Sequence, residues 1–309
     1  MKILIYGAGG VGGYFGAKLA KAGNDVTFVA RGKHLKAIQK KGLQIKSING
    51  DFLVKVNATA TIKNVKIDPD LIIFGVKSWQ LINAAKDCLS LLNKKTVVLP
   101  LQNGANNCNK LLKVFPKEQV VCGLCRIVSK IESPGVINHF EYEPEIVFGE
   151  ISNEKTNRIK LIKQIFDKAE FKNKISENIQ LDVWKKFLFI ATFSGIAALT
   201  RSDIGVLRSS KYLRNWMLQT AKEIVTVANA KNILLTEKDI EKTFKIYDKL
   251  ADNTTASMQR DVMENKPSEL ENFNGYIVKL GMQLKMPTPL NDFIYYSLLP
   301  QEEQARKLI

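Results

Sequence analysis

A chain of 309 residues, 45% hydrophobic and 25% charged, is long enough for two domains with a sizeable core, and this composition excludes a disordered or fibrous protein. The formal net charge of +16 arises from 46 basic against 30 acidic residues. All but eight of the basic residues are lysines, scattered along the chain without a basic-aromatic recognition motif, so they read as a solvated surface rather than a nucleic-acid-binding block, although the positive field suits an anionic small molecule.

The apolar run Ile3-Leu4-Ile5-Tyr6 predicts a first strand, and it flows directly into Gly7-Ala8-Gly9-Gly10-Val11-Gly12 and a helix-forming stretch through Ala17, Leu19 and Ala20. This is G-x-G-x-x-G in strand-turn-helix context, the fingerprint of a dinucleotide site. Gly7 permits the tight turn, Gly9 lets the backbone approach a pyrophosphate, and Gly12 lets helix and strand pack closely. Phosphate charge then falls on the free N–H groups of the helix start. Met1-Lys2 ahead of so short an apolar run is not expected to be a signal peptide.

Asp25 to Ala30 reads as the second strand, followed by Arg31-Gly32-Lys33. NAD sites carry a carboxylate here for the ribose 2′-hydroxyl. This chain has none, and Arg31 can pair bidentately with a 2′-phosphate, with Lys33 adding charge. NADP(H) is therefore the expected cofactor. Lys33 to Lys41 predicts a short helix, and Leu43 to Thr61 a hairpin-like pair around the Asn49-Gly50 turn. A buried strand at Leu71–Val76, a helix over Gln80–Leu92 and strands at Thr96–Leu101 and Val120–Val128 follow. Beyond the Pro134-Gly135 turn come two strand-like pieces, Val136–Phe140 and Glu145–Phe148. The alternation predicts a doubly wound α/β Rossmann sheet. Lys77, in Gly75-Val76-Lys77-Ser78-Trp79-Gln80, and Asn103, in Leu101-Gln102-Asn103-Gly104, follow strand ends where such sheets bind ligands.

The four cysteines, Cys88, Cys108, Cys122 and Cys125, read as small buried or edge residues. Cys122 and Cys125 have C-x-x-C spacing but lie in a strand-like segment, without the helix start of a redox pair or a second pair of zinc ligands. His34 and His139 are isolated, so no metal site is expected. After about residue 175 strand patterns nearly vanish. Gln180–Leu199, Lys211–Ala228, Glu237–Leu250 and Leu270–Leu284 carry helical periodicity. The expected organisation is a Rossmann domain over 1–175 and an all-helical domain over 176–309, with an active site in the cleft between them. The longest apolar run, Phe187–Leu199, is short for a bilayer span, so a soluble, cytoplasmic protein is expected.

In the order and spacing of GAGGVGG, ARG, VKSWQ, LQNG, WKKF, SMQRD and SELENFNG, nearly the whole chain resembles the ketopantoate reductases (2-dehydropantoate 2-reductases). The resemblance implies a 6-phosphogluconate-dehydrogenase-like helical domain and NADPH-dependent reduction of ketopantoate to pantoate, for pantothenate and coenzyme A synthesis. Lys186 matches the family's catalytic lysine and Glu269 its active-site carboxylate. Ser257 matches a serine that contacts the substrate carboxylate. Asn103 and Lys77 match residues of the family's N-G and V-K-x-W-Q motifs. The family often carries asparagines four and eight positions after the lysine; here those positions are Ile190 and Ser194, and Thr254 stands where a third is expected. Loss of such a polar partner weakens discrimination, so a related reductase of another small 2-keto acid is the alternative, with a non-catalytic NADP(H)-binding protein behind it. The resemblance places Lys186 as cation and proton donor at the carbonyl oxygen. Glu269 then holds a substrate hydroxyl or orients Lys186, Ser257 and Asn103 fix the substrate, and Ser194 lines its pocket. The subunit is a possible homodimer.

Overall fold

Strand β1 (Lys2–Tyr6) is buried from Ile3 onward, and every residue of the strands beyond it, β6 (Leu71–Phe74) and β7 (Val97–Pro100), is buried too, as a parallel sheet covered on both faces requires. The computed structural model describes residues 1–309, which divide into two compact units, Met1–Ile179 and Gln180–Ile309.

In the first unit β1 is followed by α1 (Gly10–Lys21), β2 (Asp25–Val29), α2 (Gly32–Lys41), β3 (Leu43–Ser47), β4 (Phe52–Val54) and β5 (Asn57–Thr59). Then come β6, α3 (Leu81–Asp87), β7 and α4 (Asn107–Leu112). The order β5-β2-β1-β6-β7 is parallel throughout, and Val120 bridges Val98 on the far edge, giving the Rossmann arrangement that the sequence predicts. The sheet reverses its winding between β1 and β6, which places Gly7 and Gly75 side by side at the carboxyl ends of neighbouring strands.

The expectation of one continuous sheet is corrected beyond residue 120. β8 (Cys122–Ser133) and β9 (Val136–Gly149) form one long antiparallel hairpin around Pro134-Gly135, where Gly135 has φ +82°. A second sheet is built on it, in the order β10-β9-β3-β4, with β10 (Lys172–Ile175) arriving after α5 (Asn157–Lys168). The expected pieces Val136–Phe140 and Glu145–Phe148 are thus one strand, with irregular register around Tyr142, whose φ is +59°. The Leu43–Thr61 hairpin is only partly right. β3 and β4 pair antiparallel around Gly50, but β5 leaves them and joins β2 in the first sheet.

The cysteines also differ from expectation. Cys108 on α4 is joined by a disulfide to Cys122 at the start of β8, whereas Cys88 and Cys125 are buried thiols outside that bond. The C-x-x-C pair is therefore not the bonded one; three residues along a strand, Cys125 instead donates its thiol to the Leu101 carbonyl at 3.3 Å.

The second unit consists of α6 (Ile179–Thr200, whose first residue belongs to the preceding unit), α7 (Ile204–Ser209), α8 (Lys211–Ala230), α9 (Glu237–Tyr247), α10 (Ser257–Met263), α11 (Asn274–Leu284) and α12 (Pro289–Ala305). At 22 residues α6 is longer than the apolar run suggested. By length and composition it could cross a membrane, but 61% of its apolar stretch is buried, as in a core helix. The predicted helix over Leu270–Leu284 is interrupted. Leu270–Asn272 form a 3₁₀ turn, Phe273 leaves helical geometry at φ −107°, ψ −98°, and α11 begins at Asn274. Phe273 is fully buried and turns its ring edge onto Phe187 of α6, with centroids 6.3 Å apart. Phe187 also packs on Trp184 and Tyr276.

Deleting that central ring should cost about 3–5 kcal/mol in Phe187→Ala, read as a lowered urea midpoint of the helical unit. A loss below about 1 kcal/mol would show that Phe187 does not hold α6 and α11 together.

Candidate active site

The glycine turn is fixed by sterics. Gly7 sits at φ +103° and donates its N–H to the Val29 carbonyl at 3.0 Å, so the chain leaves β1 still tied to β2. A Cβ on Gly7 would lie 2.9 Å from Val76, and one on Gly12 would overlap the Gly7 carbonyl oxygen. A Cβ on Gly75 would come 2.8 Å from the Gly12 Cα. These three residues pack backbone on backbone where the sheet reverses. Gly10 has the same need for a different reason, since β8 lies against it and a Cβ would press on the Ser129 main chain. Gly9 is the exception: nothing lies within 4 Å of where its Cβ would be.

That open space adjoins the start of α1, which has no side-chain cap and no acidic residue in its first turn. The unpaired N–H groups around Gly10, Val11 and Gly12 carry the positive end of the helix dipole and have no internal anion. Ala8 is buried beside them. The residues present thus fit a dinucleotide pyrophosphate: a bare glycine surface, free donors and no competing carboxylate.

Arg31 is exposed in extended conformation at the N-cap of α2, at the carboxyl end of β2. The loop after β6 presents exposed Lys77, whose ammonium lies 5.5 Å from the Trp79 ring centroid. The loop after β7 presents half-buried Asn103. Two residues that sequence reasoning did not single out hold these loops together. Buried Ser78 donates its hydroxyl to the Asn103 carbonyl at 2.8 Å, and Asn107 donates its amide to the carbonyls of Gln102 and Asn103, both at 3.1 Å. Both lie within four residues of a motif, which was the available signal.

His34, on α2, holds the turn between β8 and β9. Its Nδ1 accepts the Gly135 N–H at 3.0 Å, which requires a neutral ring. Burial holds its pKa below the ordinary value, opposed by the backbone of Ala8 in the glycine turn.

In the second unit the two adjacent lysines separate clearly. Lys185 pairs at 3.4 Å with Asp239, a buried carboxylate on α9 that also completes the Thr236 capping box. Periodicity could not distinguish Lys185 from Lys186; this ion pair assigns Lys185 a structural role. Lys186 projects about 100° away around α6, half-buried. The segment carrying it packs through Trp184 and Phe187 onto Phe273 and Tyr276, directly after the turn that carries Glu269. The WKKF and SELENFNG segments are thus brought to one end of the unit. Glu269 is only 5% exposed and accepts the Asn272 amide at 2.9 Å.

Ser257 opens α10, half-exposed, and Gln259 in the same turn donates to the Ser202 carbonyl at 3.0 Å, anchoring α10 beside the end of α6. Ser194, two turns beyond Lys186 on α6, is fully buried, and its hydroxyl has no hydrogen-bond partner within the protein. Ile190, one turn beyond Lys186, is half-buried, and Thr254 is likewise half-buried ahead of α10.

Comparison with known proteins decides the family. Residues 3–153 match the model for "Ketopantoate reductase PanE/ApbA", and residues 178–302 match its C-terminal counterpart. The chain belongs to the ketopantoate reductase family. The chain is 31% identical over 291 residues to a 2-dehydropantoate 2-reductase of Pyrococcus abyssi, covering 94% of both chains. It is 30% identical over 304 residues to the uncharacterized oxidoreductase YkpB of Bacillus subtilis, covering 98% of this chain and 100% of that one. Among solved structures, a PanE/ApbA family ketopantoate reductase from Ralstonia eutropha superposes with a TM-score of 0.91 at 28% identity, over 99% of this chain and 100% of that one. D-mandelate dehydrogenase, solved with NADH and anilino(oxo)acetate, shares the fold with a TM-score of 0.91 at 24% identity, over the same shares of the two chains. As a ketopantoate reductase family member the chain is an oxidoreductase using a nicotinamide dinucleotide.

Two outcomes follow from this geometry. Gly9→Ala should fold with an unchanged unfolding midpoint and lose dinucleotide affinity at least tenfold by calorimetric titration, whereas Gly12→Ala should disturb the fold itself; equal affinity in Gly9→Ala would place the pyrophosphate elsewhere. Because the folded chain holds His34 below 6.5, its unfolded form takes the proton first. The stabilisation is therefore complete above about pH 6.5 and is lost as pH falls toward the folded value. His34→Gln should flatten the fall in unfolding free energy between pH 7 and pH 5, and parallel profiles would rule this out.

Proposed function

We propose that the protein is an NADPH-dependent reductase of a small 2-keto acid, acting in the cytoplasm, with ketopantoate as substrate and pantoate as product. The observation that carries this reading is the packing that brings the Lys186 segment of α6, through Trp184 and Phe187, onto Phe273 and Tyr276 beside the Glu269 turn. The bound dinucleotide supplies the hydride. Everything else falls to the chain's own groups.

Arg31 recognises the 2′-phosphate, because a planar guanidinium meets a phosphate with two parallel hydrogen bonds and no carboxylate competes at that strand end. The α1 N-terminus from Gly9 to Gly12, with Gly7 and Ala8 shaping the turn, receives the pyrophosphate, and Lys77 and Asn103 face the remainder of the cofactor. At the substrate, negative charge grows on the carbonyl oxygen as the carbon is reduced. The Lys186 ammonium stabilises that charge more in the transition state than in the ground state and then donates the proton. Glu269 holds the substrate's hydroxyl or keeps Lys186 aimed, while Ser257 and Asn103 position the carboxylate and carbonyl.

Ile190 favours a second reading within the same chemistry. One turn from Lys186 on the same helix face, it offers an apolar surface where a hydroxylated substrate gains from a polar partner. A reductase of a more apolar 2-keto acid has the same machinery with that one contact exchanged.

NADPH oxidation followed with ketopantoate beside a panel of 2-keto acids separates the two readings: ketopantoate turning over well above the rest supports the first, and an apolar keto acid ahead of it supports the second. On the preferred substrate, Lys186→Ala should lower kcat by about 10²–10⁴ with NADPH affinity retained, while Lys185→Ala keeps its turnover. Arg31→Ala should weaken NADPH by roughly ten- to a hundredfold and leave NADH unchanged. Unaltered kcat in Lys186→Ala, or equal losses for both dinucleotides in Arg31→Ala, would overturn the corresponding assignment.

A further inference from the structure

The last turns of α12 hold an arrangement that packing alone does not require. Glu302 is 3% exposed, and its carboxylate accepts the Ser268 N–H on both oxygens, at 3.0 and 3.1 Å, and the Ser268 hydroxyl at 2.6 Å. Arg306, one turn on, donates Nε to Glu302 at 2.6 Å and Nη2 to the Ser268 carbonyl at 2.9 Å. Every polar group of Ser268, a residue with no exposure, is therefore engaged by this one carboxylate–guanidinium pair. The Ser268 hydroxyl also accepts the Leu270 N–H at 3.2 Å, closing a small turn around the residue between them, Glu269. On the other side the Glu269 carbonyl accepts the N–H groups of Asn272 and Phe273 at 2.9 and 3.0 Å.

Next to this pair, Gln301 donates to the Val262 carbonyl at 2.9 Å and to Asn265 at 3.1 Å, holding the far end of the helix that Ser257 opens. One stretch of α12 thus grips both segments that carry substrate-side residues. A buried ion pair is a poor source of stability compared with apolar side chains of the same volume, but it is a strong determinant of position, because an unpaired partner costs several kcal/mol.

We propose that Glu302, braced by Arg306, is a positioning residue for Glu269: it fixes the Ser268–Leu270 turn so that the Glu269 carboxylate meets the substrate in one orientation. The inference rests on the reading of Glu269 as an active-site carboxylate. Its energetic logic is that of preorganisation, in which a displacement of about 1 Å at a reacting group costs up to a hundredfold in rate.

A double-mutant cycle on the full-length protein tests it, using NADPH oxidation with ketopantoate as the probe reaction. Glu302→Gln keeps the shape of the side chain and removes its charge. It should lower kcat on the order of tenfold to a hundredfold while leaving the NADPH KM unchanged. In a Glu269→Gln background the same change should have almost no further effect, because the group it acts through is gone. Full multiplicative losses in the double variant, or an undiminished kcat in Glu302→Gln, would overturn the proposal while leaving the role of Glu269 intact. If Glu269→Gln alone has wild-type kcat, the underlying reading fails and the proposal with it. Should Glu302→Gln not fold, Ser268→Ala removes the hydroxyl link to both Glu302 and Leu270 and enters the same cycle with the same expected non-additivity.

Discussion

The structure of the first unit depends on one close approach. Gly12 lies against the Gly7 carbonyl, and Gly75 of the neighbouring strand against Gly12, with no room for a side chain at any of the three. This contact draws the start of α1 onto the ends of β1 and β6 and leaves its first N–H groups facing open space at Gly9. An array of unpaired donors at a helix terminus is costly to bury and is ordinarily satisfied by a cap or by water. Here no cap is present, and the absence of any carboxylate in the first turn keeps the positive end of the dipole uncompensated. The chain has in effect kept a backbone site for an anion instead of using those donors internally.

The surrounding elements protect that geometry. The β8–β9 hairpin crosses Gly10 and Gly13, His34 ties its Gly135 turn to α2, and Ser78 with Asn107 locks the loops after β6 and β7 to each other. In the helical unit the same economy holds. Lys185 is spent on Asp239, and the aromatic contacts of Trp184, Phe187, Phe273 and Tyr276 bring the Lys186 and Glu269 segments to a common end. Glu269 is held through its backbone by residues far along the chain, so that the position of a single carboxylate depends on the packing of α12.

Local signals made much of this legible beforehand. The strand–glycine turn–helix at the start, the absence of an acid after β2 and the helical character beyond residue 175 each follow from short-range sterics or periodicity, and each stands in the structure. What sequence reasoning missed is long-range. Nothing local tells that Asn57–Thr59 should leave its hairpin for β2, or that the segment after Val120 should found a second sheet, since both outcomes depend on strands brought in from elsewhere. The Cys108–Cys122 bond joins a helix to a strand start 14 residues apart, a pairing that no local spacing signals. The break at Phe273 runs through an apparently helical pattern, and the contact its buried ring makes with Phe187 is a tertiary one that periodicity does not register.

The claim on which the account rests is that an anionic dinucleotide lies on the bare backbone from Gly9 to Gly12. Backbone amide NMR of the full-length protein, titrated with NADPH, examines it directly. The account expects the largest shifts, and protection from solvent exchange, at the amides of Gly10, Val11 and Gly12, with Arg31 guanidinium signals moving alongside. Saturable NADPH binding that leaves those amides unmoved would contradict it.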